Sequence, residues 1–218
     1  MDTDHLIRTL ADRVELVTPL PRPSRRAVAW TAAGAAYLFV LVAVVSPRDD
    51  LDARVRDPWF VLEQAAALVT GVTAALAAFA SVVPGSRRGV VAWPVAAGAV
   101  WIALVAAGAV GELDRGAAAS LLMQADWSCV WTVLAGASVP AAMMATMLRR
   151  GVPLTPHITA ALGGLAAAGL GNLGICLFHA HSSSLVLLVW HCGTVVATAA
   201  LAAAAGGHIL RWPARRML

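Results

Sequence analysis

The chain is poor in charge, in cysteine and in lysine. Only 13% of its 218 residues are charged, where a soluble domain carries about 25%. That is too little polar material to coat a water-facing domain, so a soluble globular fold is excluded. Three cysteines, far apart in sequence, cannot make a disulfide scaffold or a CxxC…CxxC zinc ribbon. There is no HExxH, GxSxG, P-loop or GxGxxG, which removes the common hydrolase and nucleotide-binding signatures. Lysine is absent altogether; all 16 basic residues are arginine. What remains is 60% hydrophobic, with a mean hydropathy of +0.76, and this composition also excludes disorder.

The apolar residues fall into six runs: 27–46, 58–83, 91–110, 127–148, 157–178 and 185–207. Each is long enough to cross a hydrocarbon core as helix, which takes roughly 20 residues. No ten-residue alternating pattern appears, so a membrane barrel is excluded. The reading is an all-α polytopic bundle of six transmembrane helices spanning residues 27–210, preceded by a segment 1–26 and followed by a tail 211–218. Ser24-Arg25-Arg26 is faintly like a twin-arginine signal, but the run behind it is too long for a signal core and no A-x-A site ends it. The first span is therefore expected to be retained.

Arginine placement sets the expected orientation. One set of connections, together with both termini, carries twelve arginines and four acids; the other carries four arginines and eight acids. The arginine-rich side stays in the cytoplasm, so both termini are expected there. The arginines then act as topology signals, and a pI of 9.8 gives no case for direct nucleic-acid binding.

Ahead of the first span, Leu6, Leu10 and Val14 recur at i, i+4 and i+8 with Ile7 beside them. This predicts a short amphipathic helix over residues 2–16, capped by Asp2 or Thr3. Thr18-Pro19-Leu20-Pro21-Arg22-Pro23 then reads as an extended spacer. So short a helix is marginal alone in water and needs a surface to cover its stripe. The plain reading is the membrane or the bundle itself; the sharper one is a soluble partner.

Inside the spans, Gly163, Ala167 and Gly171, with Gly164 and Ala168 beside them, form small-residue rows suited to close helix packing. Glu63 and Asn172 are the notable intramembrane polar residues. Glu63 is a candidate for proton relay or gating, although at its depth it can also snorkel outward. Cys176, His179, His181, His191 and Cys192 gather at the outer ends of the last two spans, with Cys129 at the start of the fourth. Thiolate and imidazole suit zinc or copper, so His179, His181 and His191 are candidate metal ligands; the plain reading is that they are solvated loop residues.

Several stretches carry a family resemblance. They are Thr3-Asp4-His5-Leu6-Ile7-Arg8, the Pro19-Leu20-x-x-Pro23 turn, Arg25-Arg26, Asp57-Pro58-x-Phe60-x-Leu62-Glu63 and Val83-Pro84-Gly85. The Cys129 span, Arg149-Arg150-Gly151-x-Pro153-Leu154, and Cys176 followed by Leu188-x-Trp190-His191 continue the pattern. In this order they resemble the NrsF family of six-span inner-membrane anti-sigma factors, over essentially the whole chain. The resemblance implies a regulator rather than an enzyme. It places a sigma factor on the cytoplasmic N-terminal segment, here Leu6, Ile7, Leu10 and Val14. It also implies that two cysteines near the periplasmic face, here Cys129 and Cys176, report stress. The family often has proline and acidic residues after the second cysteine. Leu177-Phe178-His179-Ala180-His181 stands there instead, which puts the family's stimulus in doubt and favours a metal-responsive variant.

Depth along the spans adds a geometric expectation. At about 1.5 Å per residue, Cys129 and Cys176 both lie roughly 3 Å below the outer surface, while Cys192 lies about 10 Å down. A short connection joins their two spans, so a disulfide or a shared metal is geometrically open to the first pair. Two rival functions stay in view. One is a small transporter or channel for a metal ion or weak acid, using Glu63, Asn172 and the histidines. The other is a membrane thiol or haem oxidoreductase.

Overall fold

The structure, a computed structural model, describes residues 2–12, 19–86, 88–114, 127–151, 153–178 and 187–210. Among these there is no strand. Helix α1 covers Thr3–Ala11, α2 Pro23–Val45, the short α3 Leu51–Val55 and α4 Pro58–Ser81. A 3-10 turn at Arg88–Val91 leads into α5, Ala92–Asp114. Helix α6 covers Trp127–Leu148 and α7 Pro156–Ile175, and a π-helical turn at Leu187–Cys192 leads into α8, Gly193–Ile209. Six of these segments are long and apolar enough to cross a membrane.

The sequence sets most helix starts. Prolines open α2, α4 and α7 at positions where a missing N–H costs nothing. The Asp57 carboxylate caps α4 by accepting from the Trp59 amide at 3.0 Å. Beyond the end of α4, Val83-Pro84-Gly85 turns the chain, with Gly85 at a φ of +81° that favours glycine.

Several boundaries differ from the apolar runs. Helix α2 begins at Pro23 rather than at residue 27, so Ser24, Arg25 and Arg26 belong to the helix and not to the linker. An arginine satisfies the helical backbone as well as an apolar residue does, and hydropathy alone misses this. Helix α5 runs past residue 110 to Asp114, and α7 stops at Ile175, three residues short of the apolar run. The short α3, between the first two spans, leaves no hydropathy signal because all five of its side chains are at least partly solvated.

Helix α7 is the axis of the bundle: 72% of its most apolar 18-residue stretch is buried, while in no other span does that share exceed half. It packs on α4, α6 and α8. Lipid gives no hydrophobic drive between helices, so the contact must come from van der Waals fit at short range. Its glycines provide that fit. A Cβ on Gly171 would meet the backbone nitrogen of Ala137 on α6 at 2.8 Å, and one on Gly164 would meet the Ala202 Cβ on α8 at 2.6 Å. Gly71 of α4 and Gly169 of α7 also face each other, with room for a Cβ only at contact distance, 3.5 and 3.6 Å from its nearest neighbour. Two ties fix the bundle ends. At the arginine-rich end Arg149 Nε donates to the Ile209 carbonyl at 2.8 Å; at the other the Arg48 amide donates to the Leu177 carbonyl at 3.1 Å.

Candidate functional site

Two places stand out: a helix with its apolar side uncovered, and a polar cluster inside the bundle.

Helix α1 starts at Asp2, whose carboxylate accepts from the Asp4 amide at 3.2 Å. Its apolar residues share one face, as the i, i+4 spacing dictates, yet no residue of α1 is buried. Leu6, Ile7 and Leu10 are 40%, 58% and 58% exposed. Val14 lies outside the described residues. Covering one such side chain is worth about 1.5–3 kcal/mol, so the uncovered face is a standing drive toward association.

The internal cluster lies where α4 begins and α7 ends. Glu63 is 5% exposed and does not snorkel outward: its Oε1 accepts from the Trp59 indole N–H at 2.9 Å. Gln64 beside it is also buried. Across the bundle, His191 Nδ1 and Asn172 Oδ1 are 2.6 Å apart, both groups fully enclosed. An amide oxygen has no proton, so the ring nitrogen donates. Asn172 Nδ2 has no hydrogen-bond partner among the described residues.

Cys176 caps the end of α7 and is fully buried. It shares one packed cluster with Phe60, Trp101, Leu187 and Cys192. Cys176 and Cys192, which depth along the spans sets apart, thus pack into one cluster. Cys129 is the third residue of α6, but its side chain lies outside the described residues, as do His179 and His181. Among the described residues no three of His, Cys, Asp and Glu converge as a metal site.

Outside the spans, Arg48 and Asp50 pair, with Arg48 Nη2 donating to Asp50 Oδ2 at 2.8 Å and Arg54 Nε at 3.4 Å. Hydrogen bonds from Arg48 hold the Asp50 carboxyl down at about 2. Motif reading also overlooks Arg26, Trp30 and Pro140, which turn out to join α2 to α6. The available signals were a proline in mid-span and an Arg, Trp, Tyr series at positions 26, 30 and 37, which share one helical face.

These features define the class of protein: an all-α polytopic bundle without a recognisable catalytic constellation among its described residues, carrying an amphipathic helix ahead of its first span. The family follows from comparison. A family model described as NrsF, negative regulator of sigma F, matches residues 10–212, and the chain belongs to that family. The match includes every span and begins within α1, at Leu10. No curated protein and no solved structure matches the chain. By family, then, the protein is a negative regulator of a sigma factor.

Proposed function

We propose that the protein is an anti-sigma factor of the bacterial inner membrane, with both termini in the cytoplasm. Helix α1 holds an extracytoplasmic-function sigma factor, and a periplasmic redox or metal signal at Cys129 and Cys176 releases it. The observation that carries this reading is α1 itself. Its three described apolar side chains share a face that the bundle leaves uncovered, and a proline-rich spacer joins it to α2. A helix of nine residues is marginal alone in water and needs a surface to cover that face.

The test is deletion of residues 2–16 in the full-length membrane protein. Insertion should be unchanged and co-purification of the sigma factor lost. Retention of the sigma factor by the deleted chain would refute the reading.

For the stimulus, a zinc or copper ion or an oxidant acting on the two thiols would re-space the outer ends of α6 and α7. The burial of Cys176 in one cluster with Cys192 favours a second pairing, Cys176 with Cys192. Thiol trapping in membranes separates the two. Cys129→Ser abolishes the trapped state and the sigma-dependent response under the first pairing, and Cys192→Ser does so under the second.

A further inference from the structure

Three side chains on one face of α2 donate to main-chain carbonyls of α6. The Arg26 guanidinium donates from Nη2 to Met147 O, in the last turn of α6. Trp30 Nε1 donates to Pro140 O at 2.9 Å, and Tyr37 OH to Ala135 O at 3.2 Å. The donors rise along α2 as the acceptors descend along α6, so the helices run antiparallel. Eleven residues of donors span about 16 Å and twelve of acceptors about 18 Å, so the register is kept from end to end.

The partners differ in character along this line. Arg26 is buried, its guanidinium carbon 4.6 Å from the centre of the Phe79 ring on α4. Its acceptor lies at the carbonyl end of α6, where the helix dipole favours a cation. The middle bond ends on a proline. Pro140 has no N–H for the carbonyl of Gly136, so the α6 ladder is interrupted there and the helix is free to bend. Around that point the packing is close on two sides. The α2 residue Gly34 offers a Cβ position 3.8 Å from the Pro140 ring, and Gly136 offers one 3.4 Å from the Gly171 carbonyl on α7.

We propose that α2 is latched to α6 by Arg26, Trp30 and Tyr37, and that α6 pivots at Pro140 against the fixed axis of α7. Motion of the outer half of α6, which begins at Trp127, then draws on Tyr37 through Ala135 and is carried along α2 to its first turn, where Arg26 holds the inner half. That turn adjoins the linker to α1. The regulatory meaning of this movement rests on the proposed function, since it would join the Cys129 end to the docking helix. The mechanical link itself does not.

The test therefore needs neither sigma factor nor stimulus. Spin labels are placed at Ser24 and Ser86 in the full chain, with the three native cysteines replaced by alanine. Pro140→Ala, which restores the broken ladder, should shift the distance between the labels by about 2 Å, the scale of helix shifts at interfaces. Adding Trp30→Phe and Tyr37→Phe keeps an aromatic ring at each site and removes the two donors at and beyond the pivot, and should return the distance to its original value. An unchanged distance in Pro140→Ala, or a shift that persists with the donors removed, overturns the latch. Loss of sigma-factor capture is read separately, by co-purification, and bears only on the proposed function.

Discussion

His191 donates from Nδ1 to Oδ1 of Asn172 across 2.6 Å, and this bond joins the π turn at the start of the last span to the final turn and a half of α7. Both side chains are fully enclosed, so the bond is made away from solvent. Asn172→Leu removes the acceptor and keeps the volume. It should lower stability by about 1–3 kcal/mol, the usual cost of stranding a buried polar group. Thermal unfolding in detergent checks this. His191→Leu with Asn172→Leu should recover part of the loss, because the paired removal leaves less polar surface stranded.

The close crossing of α6 and α7 makes Gly171 intolerant of any side chain. Gly171→Val places atoms against the Ala137 backbone, which cannot swing aside as a flexible side chain could. The expected cost is about 1–3 kcal/mol or more from overpacking, read as a lowered unfolding midpoint or reduced accumulation in membranes. By contrast Gly193→Ala meets nothing within 4 Å and should be close to neutral.

Asp50 gives a pH dependence of known sign. Its folded carboxyl sits at about 2 against an ordinary 3.8, chiefly through hydrogen bonds from Arg48 and further through Arg54. A lowered carboxyl contributes stability that is fully present above 3.8 and lost as pH falls through about 2. Asp50→Asn should therefore be slightly less stable than the parent near neutrality. The gap should close as pH falls across that window, because the parent loses what the variant never had. Melting in detergent from neutral pH downward measures it, and a constant gap would contradict the assignment.

The bundle was legible in the sequence because hydrocarbon imposes long apolar helices, and their number needs no tertiary knowledge. The α1 stripe was legible for the same reason: Leu6, Ile7 and Leu10 announce a face by spacing alone. Residues that act through distant partners were not. Arg26 looks like one more topology arginine until its neighbours Phe79 and Met147 are known. Glu63 looks free to snorkel until Trp59, one turn earlier, is seen to hold its carboxylate inside the bundle. Asn172 and His191 are nineteen residues apart and carry no shared pattern. The packing of Cys176 and Cys192 into one cluster was likewise not legible, because the two are sixteen residues apart on different helices.

Orientation is tested with reporters fused after Leu218. Activity only from a cytoplasmic reporter is expected, with insertions in 49–57 reading as periplasmic. A periplasmic C-terminus would require a span to be merged or removed.

The most direct test of the central claim is site-specific photo-crosslinking from α1 in intact membranes of cells that make the sigma factor. A photoreactive residue at Ile7 or Leu10 should give a sigma-factor adduct, and the same residue at Arg8 or Asp12, on the opposite side of the helix, should give far less. The adduct should disappear when the stimulus releases the sigma factor. Adducts to lipid alone from Ile7 and Leu10, or equal sigma-factor adducts from all four positions, would contradict the assignment of α1 as the docking helix.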